Sequence, residues 1–243
     1  MKRKCRFHIG TSGWNYEHWK EIFYPENLKQ SEWLQFYSKK SKTVEINNSF
    51  YNLPKEKTFD IWRNTVPKEF IFSIKASRFI THMKKLNEPE NSTKKFFQRI
   101  KVLKDTAGPV LFQLPPRWHF NEERLKNFLK VLPKKYKYAF EFRDETWWNN
   151  TTYEILKNKN AAYCIFELGE QKSPKEITAD FIYIRLHGPK EKYCGNYNKK
   201  TLDYWADAFS RWAENVSDIY CYFDNDAGGF AIKNAIELNE ILN

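Results

Sequence analysis

The sequence predicts an α/β protein with a single domain, folded as a TIM-like (β/α)8 barrel. The length of 243 residues is close to the roughly 250 residues that one such barrel needs. Short β-branched or aromatic runs alternate with longer amphipathic runs along the whole chain, as in parallel strands joined by helices. Within many of the short runs, apolar and polar residues alternate, so each of these strands has one apolar and one polar face.

Eight short runs are the candidate strands. They are Cys5–Gly10, Thr43–Asn47, Phe70–Lys75, Val110–Gln113, Tyr138–Phe142, Ala161–Phe166, Phe181–Leu186 and Ile219–Phe223. The candidate helices are Ser31–Lys39, Lys55–Thr65, Ser92–Lys104, Glu122–Val131, Thr152–Asn158, Lys199–Glu214 and Phe230–Leu242. The interval Leu168–Asp180 is weak as a helix. No linker or low-complexity segment divides the chain, so we expect residues 1–243 to form one domain.

The alternation within the strands favours a closed barrel over an open, doubly wound sheet. Strands that are buried on both faces of an open sheet usually have a continuous apolar run. Here Glu45 lies between Val44 and Ile46, and Arg185 lies between Ile184 and Leu186. The apolar set would face the helices, and the polar set would face the barrel interior.

Composition and charge narrow the classes of partner. The net charge of +11 is consistent with an anionic small molecule or a polyanion as partner. The alternative is compositional drift, since lysine is abundant throughout the chain. No apolar run is long enough to span a bilayer. The basic start Met1-Lys2-Arg3-Lys4 is not followed by the apolar segment of a signal peptide. The four cysteines form no CxxC pair, which favours a reducing cytoplasm.

Charged residues at the strand ends are the candidate catalytic groups, since barrel enzymes build their active sites there. Glu45, Glu141 and His187 are the candidate proton-transfer residues, and with Asp224 they also resemble a metal-ligand set. The alternative is structural. A buried carboxylate needs a partner, so Glu45 and Glu141 would then form an ion-pair network with neighbouring cations.

Three of those cations, Lys75, Arg143 and Arg185, are also candidates for binding an anionic substrate. Further polar and aromatic residues are expected near the same end of the barrel as substrate contacts. They are Trp14, Asn47, Tyr51, His82, Gln113, Tyr197, Asn225 and Asp226. The sequence assigns no metal site, and it identifies no cofactor.

Several of these residues lie in ordered motifs. The motifs are Ile9-Gly10-Thr11-Ser12-Gly13-Trp14, Val44-Glu45-Ile46-Asn47, Phe72-Ser73-Ile74-Lys75-Ala76-Ser77, Leu111-Phe112-Gln113-Leu114-Pro115-Pro116, Glu141-Phe142-Arg143, and Arg185-Leu186-His187-Gly188. With them the chain resembles, over nearly its whole length, the DUF72 (YecE-like) family of domains of unknown function. The resemblance implies a TIM-like barrel and no established reaction. The chain departs from the family pattern at Glu21, where Gly is frequent, and at Asp224, where Asn is frequent.

Three functions agree with these observations. The first is an enzyme that acts on a small anionic or polyhydroxylated substrate at the barrel mouth. The second is a metal-dependent phosphodiesterase or nuclease. The third is a non-catalytic binder of nucleic acid or another polyanion, which would bind weakly, without sequence preference and less tightly as salt rises. A basic helical run carries the third hypothesis; it contains Lys94, Lys95, Arg99, Lys101 and Lys104.

Overall fold

Parallel strands form a nearly closed barrel, as predicted. The computed structural model describes residues 4–242, so the basic start at residues 1–3 lies outside the described part. The strands are β1 Arg6–Thr11, β2 Thr43–Ile46, β3 Ile71–Lys75, β4 Ala107–Leu114, β5 Tyr138–Phe142, β6 Ala162–Leu168, β7 Gln171–Lys172, β8 Phe181–Leu186 and β9 Asp218–Phe223. Their order around the barrel is β1-β9-β8-β6-β5-β4-β3-β2, and β7 pairs only with β6.

Helices connect most of the strands. They are α1 Trp33–Ser38, α2 Asn48–Tyr51, α3 Glu56–Thr65, α4 Pro89–Ile100, α5 Glu122–Val131, α6 Asn150–Lys157, α7 Lys199–Trp212 and α8 Phe230–Leu242. The weak interval 168–180 contains the antiparallel β6–β7 hairpin in place of a helix. Within residues 4–242, no helix combines the length and the apolar character that crossing a membrane requires.

One helix ends earlier than the sequence predicts. We expect a helix through Lys104, but α4 ends at Ile100 and a 3₁₀ segment, Lys101–Thr106, follows it. Lys104 has a φ of 50°, which a continuing right-handed helix does not permit. The hydrophobic periodicity of the sequence does not reveal this backbone conformation, because apolar and polar residues keep their helical spacing up to Lys104.

The barrel closes where β1 meets β2. A parallel bridge joins Ser12 to Glu45, next to the last residue of β1. The Tyr37 hydroxyl supports this seam, because it accepts a hydrogen bond from the Thr11 amide at 3.1 Å and donates one to the Thr43 carbonyl at 3.0 Å. The approach is close: a Cβ added to Gly10 would lie 2.3 Å from the Thr43 carbonyl oxygen.

Alternation places one residue set against the helices and the other inside the barrel. Val44 and Phe72 belong to the large apolar core under the helices. A separate cluster fills the interior and includes Leu111, Tyr183 and Tyr222. Above this cluster, toward the carboxyl ends of the strands, the inward-facing positions are polar. The interior is therefore packed below and charged above, which locates the candidate site.

A buried aspartate anchors the opposite, amino-terminal end of the barrel. Asp218 accepts hydrogen bonds from His8 Nε2 at 2.9 Å, Arg6 Nε at 2.8 Å and Lys137 Nζ at 2.6 Å. Burial raises the pKa of Asp218, but the bonds from His8 and Lys137 outweigh it and hold that pKa below its usual range. This cluster stabilises the end of the barrel that does not carry barrel active sites.

Candidate active site at the barrel mouth

Arg185 is the centre of a charged cluster at the carboxyl ends of the strands. Its guanidinium is fully buried and donates to Glu45 Oε1 from Nη2 at 2.7 Å and from Nε at 3.1 Å. It also donates to Glu141 Oε2 at 3.0 Å and to Asp224 Oδ2 at 3.0 Å. Three carboxylates from different parts of the barrel thus share one cation. The central cluster consists of Glu45, Glu141, Arg143, Arg185, His187 and Asp224.

The carboxylates of the two buried glutamates, Glu45 and Glu141, accept further hydrogen bonds. Glu45 accepts hydrogen bonds from the Ser12 hydroxyl and, at 2.6 Å, from the Tyr183 hydroxyl. Glu141 accepts from Arg143 Nε. Burial raises the pKa of Glu141, but Arg143 and Arg185 overcome that effect and keep it well below the usual range. Glu141 is therefore ionised and poorly suited to accept a proton.

His187 is held as a neutral imidazole. Its Nε2 accepts a hydrogen bond from Arg143 Nη2 at 2.9 Å, so the ring proton lies on Nδ1. Nδ1 is 2.9 Å from Asp224 Oδ2, although the two are not aligned as a full hydrogen bond. Burial, Arg185 and Arg143 all keep the pKa of His187 well below its ordinary value. The imidazole positions charged neighbours and has no free nitrogen with which to accept a proton.

Lys75 is the exception among the cations of the mouth. It ends β3, and its neighbour in β4 is the interior residue Leu111. Its ammonium lies 4.4 Å from the centre of the Phe50 ring. Among residues 4–242 it makes no salt bridge and no side-chain hydrogen bond. Burial and then the charge of Arg185 lower the pKa of Lys75 from 10.5 to about 8. Lys75 is therefore a partly exposed cation of the mouth that contacts no carboxylate of the described residues.

Asp224 is the most exposed carboxylate of the central cluster. Its side chain is 10% exposed, whereas those of Glu45 and Glu141 are fully buried. Burial raises the pKa of Asp224, and the charges of Arg185 and Lys75 offset only part of that rise. The sequence identifies Asp224 as a charged residue after the last strand. The structure adds that this carboxylate takes up a proton more readily than an ordinary aspartate.

Two further predicted residues lie close to this charged end. The His82 ring contacts the Phe50 ring edge-on, with centroids 4.9 Å apart. Burial and then Lys75 lower the pKa of His82 to about 4, so its imidazole is neutral. Gln113 lies in β4 opposite Glu141 of β5 and is partly buried. Both polar side chains border the mouth without belonging to the central cluster.

Two surface grooves flank the short helix α2. One, of about 670 Å³, is lined by Trp14, Asn47, Tyr51 and Trp62, among others. The other, of about 930 Å³, shares Tyr51. Tyr51 is 76% exposed between them. Asn47 Oδ1 is buried and receives no hydrogen bond from the described residues. This side of the mouth offers an aromatic face and an unused hydrogen-bond acceptor.

The remaining predicted residues form their hydrogen bonds outside the central cluster, and the negative charge of Asp224 acts on Asp226. The Tyr197 hydroxyl accepts from the Gly188 amide at 3.0 Å. Asn225 Nδ2 donates to the Gly195 carbonyl at 2.7 Å. The main-chain carbonyl of Asp226 accepts from His18 Nε2 at 2.8 Å. These contacts hold in place the segment that follows β8 and the loop after β9, which border the mouth of the barrel.

The charged groups are arranged for ion pairing. Among residues 4–242, no group of three or more His, Cys, Asp and Glu side chains is placed to hold a metal ion. The carboxylate oxygens of Glu45 and Glu141 point at guanidinium and hydroxyl donors. A divalent cation would have to displace Arg185 from the centre of the cluster.

Comparisons with known proteins agree with the motifs. The family model described as a protein of unknown function, DUF72, matches residues 8–243. UPF0759 protein YunF of Bacillus subtilis is 24% identical, over 97% of this chain and 94% of that protein. A DUF72 family protein of Thermotoga maritima is 26% identical with a TM-score of 0.86, over 98% of this chain and 99% of that chain. One of Enterococcus faecalis is 17% identical with a TM-score of 0.76, over 98% and 95%. The chain therefore belongs to the DUF72 family.

Proposed function

We propose that the protein is an enzyme that acts on a small anionic, polyhydroxylated substrate at the carboxyl end of its barrel. One observation carries the proposal: Lys75 is a partly buried ammonium that feels the charge of Arg185, and no carboxylate among residues 4–242 contacts it. Burial and the charge of Arg185 disfavour the ammonium more than Glu141, Glu45 and Asp224 favour it. A bound anion would relieve both costs, because a nearby opposite charge stabilises the charged form of an amine.

In this proposal the central cluster is the rigid floor of the site. Glu45, Glu141 and His187 are positioning residues, since each is fully buried and bonded to a guanidinium. Arg143 and Arg185 fix the electric field above that floor. Preorganised charges of this kind act on a reaction without rearranging during it.

Lys75 and Asp224 are the proposed proton-transfer pair. The pKa of the amine falls and that of the carboxylate rises, so the two values approach each other from opposite sides. Groups whose pKa values are shifted toward neutral pH are suited to general acid–base catalysis. Asp224 is also the carboxylate of the cluster with exposed surface. A substrate at the mouth would meet both groups.

The groove beside α2 supports the polyhydroxylated part of the proposal. Asn47 Oδ1 accepts no hydrogen bond from the described residues, and a sugar hydroxyl is a donor of the kind it lacks. Trp14 and Tyr51 line the same groove and supply apolar faces. A few polar groups set among aromatic walls are typical of small-molecule sites.

Thermal unfolding with three ligands tests the proposal. Glucose 6-phosphate, inorganic phosphate and uncharged glucose would each be added to wild type, to Lys75→Met and to Lys135→Met. Lys135 is the matched control, since it is exposed and lies 4.7 Å from the Tyr136 ring. We expect the two anions to raise the melting temperature of wild type and Lys135→Met, and not of Lys75→Met. Equal shifts in all three proteins would contradict the proposal.

The basic face of α4 gives less support to a polyanion-binding function. Arg99 is committed elsewhere, because its Nη1 donates to the carbonyl of Pro54 at 3.1 Å and also to that of Leu53. Lys94 and Lys95 are exposed, as on any solvated helix face.

A further inference from the structure

Lys75 differs from the other cations of the mouth in having a side-chain nitrogen free to react. Arg143 and Arg185 are bonded to carboxylates, and a guanidinium does not lose its proton. The Lys75 ammonium instead lies over the Phe50 ring, which accepts no conventional hydrogen bond from it. A primary amine with an apolar neighbour and a nearby cation is the setting in which lysine becomes a nucleophile.

We propose that Lys75 is an imine-forming lysine, and that the substrate is an anionic aldehyde or ketone whose carbonyl carbon it attacks. The inference rests on the proposed function and narrows its substrate class. The carbonyl carbon of the substrate would lie near Nζ, and its acidic end would lie beside the same nitrogen, whose positive charge the protonated imine retains. Its hydroxyl groups would extend toward the groove beside α2.

The step balances without an oxidant, a reductant or a second substrate. Neutral Nζ adds to the carbonyl carbon, the C=O π bond breaks, and a proton passes from the nitrogen to the oxygen to give a neutral carbinolamine. Asp224, which takes a proton from the Lys75 ammonium to leave Nζ neutral, returns that proton to the hydroxyl, and the hydroxyl leaves as water while the C=N bond forms. Counted from the ammonium, one amine and one carbonyl give one protonated imine and one water.

The charges around Lys75 favour the neutral amine that this step needs. Arg185 disfavours the ammonium, whereas Glu141, Glu45 and Asp224 favour it, and burial together with Arg185 prevails. His82, across the Phe50 ring, is neutral. With the pKa lowered from 10.5 to about 8, the neutral fraction at pH 8 rises roughly hundredfold. Because kcat/KM reports the free enzyme, kcat/KM for imine formation should reach half its maximal value near pH 8.

Borohydride trapping tests the inference directly. Wild type, Lys75→Arg and Lys135→Arg would be incubated with pyruvate or dihydroxyacetone phosphate, reduced with borohydride and mapped by peptide mass spectrometry. We expect a reduced adduct on Lys75 in wild type, at least roughly tenfold above that on the exposed Lys135, because the pKa of Lys75 is lowered to about 8. Lys75→Arg should lose this adduct and Lys135→Arg should retain it.

Competition and phosphate binding separate the possible failures. Excess inorganic phosphate should suppress labelling of Lys75 and leave Lys135 unchanged, a test that needs only wild type if Lys75→Arg does not fold. Labelling spread equally over Lys75 and Lys135, or none at Lys75, would overturn the inference. If phosphate still raises the wild-type melting temperature in that case, the proposed function survives. If phosphate has no effect either, both fail.

Discussion

Replacing Lys75 by methionine should stabilise the protein, which is unusual for a strand residue inside a barrel. Methionine keeps most of the volume and the contact with Phe50, and it removes an ammonium that makes no salt bridge among residues 4–242. The same substitution at a paired cation would leave buried carboxylates without a partner. The sign of the stability change therefore distinguishes a functional lysine from a structural one.

The magnitude follows from proton linkage. A pKa of about 8 in the folded protein, against 10.5 in the unfolded chain, corresponds to about 3 kcal/mol of unfavourable free energy when the amine is charged. The contact with Phe50 returns about 1 kcal/mol. We expect a net gain of about 1–2 kcal/mol at pH 6–7, or about 2–8 °C in Tm.

The pH dependence has a definite direction. Between about pH 8 and 10.5 the unfolded chain binds more protons at Lys75 than the folded protein does, so wild-type stability rises with pH in this window. The advantage of Lys75→Met is then complete below pH 8 and fades toward pH 10.5. Urea unfolding of wild type, Lys75→Met and the control Lys135→Met at pH 6.5, 8 and 10 measures it. A Lys75→Met protein that is less stable at pH 6.5 would refute the reasoning.

The remaining predictions concern paired charges and the basic surface. Arg185→Ala should lower the free energy of unfolding by about 3–5 kcal/mol, because Glu45 and Glu141 stay buried without their cation. Urea unfolding measures this change, and a loss below about 1 kcal/mol would contradict the prediction. Asp218→Asn should cost about 1–3 kcal/mol at pH 7. Since the folded pKa of Asp218 is depressed, its contribution is present above the unfolded pKa of about 3.9 and disappears as the pH falls, so acid titrations of the two proteins should converge. Binding to duplex DNA, followed by fluorescence anisotropy, should weaken steeply between low and physiological salt, and tight sequence-selective binding would be evidence against this account.

Strand architecture is predictable here because alternation is a local property. Each polar residue in Val44-Glu45-Ile46 or Ile184-Arg185-Leu186 reports the face on which it lies, and the face is set by parity alone. The barrel and the convergence of Glu45 and Arg185 follow from that pattern. A helix end such as the one before Lys104 depends instead on a single backbone angle.

Pairing within the site was not predictable in the same way. Lys75, Arg143 and Arg185 are equivalent as candidate cations in the sequence. Arg185 bonds to carboxylates 140, 44 and 39 residues away in the sequence, whereas Lys75 bonds to none within the part of the chain that the structure describes. Which cation remains unpaired depends on distances across the barrel that no local pattern encodes.

The loop residues show the same limit. Tyr197 and Asn225 follow strands in the sequence, which suggests a place at the mouth. Both also bond to Asn234 of α8, at sequence separations of 37 and 9 residues. Sequence position alone does not distinguish a residue that faces a substrate from one that fastens a loop to a helix.

A titration of the lysine side chains by nuclear magnetic resonance tests the central claim most directly. In protein labelled at lysine Cε, one resonance should titrate at about 8 and be absent from Lys75→Arg. Saturating inorganic phosphate should move that pKa upward, because a bound anion stabilises the ammonium. If the resonance lost in Lys75→Arg titrates near 10.5, or does not respond to phosphate, Lys75 is not the unpaired anion-binding cation of the site.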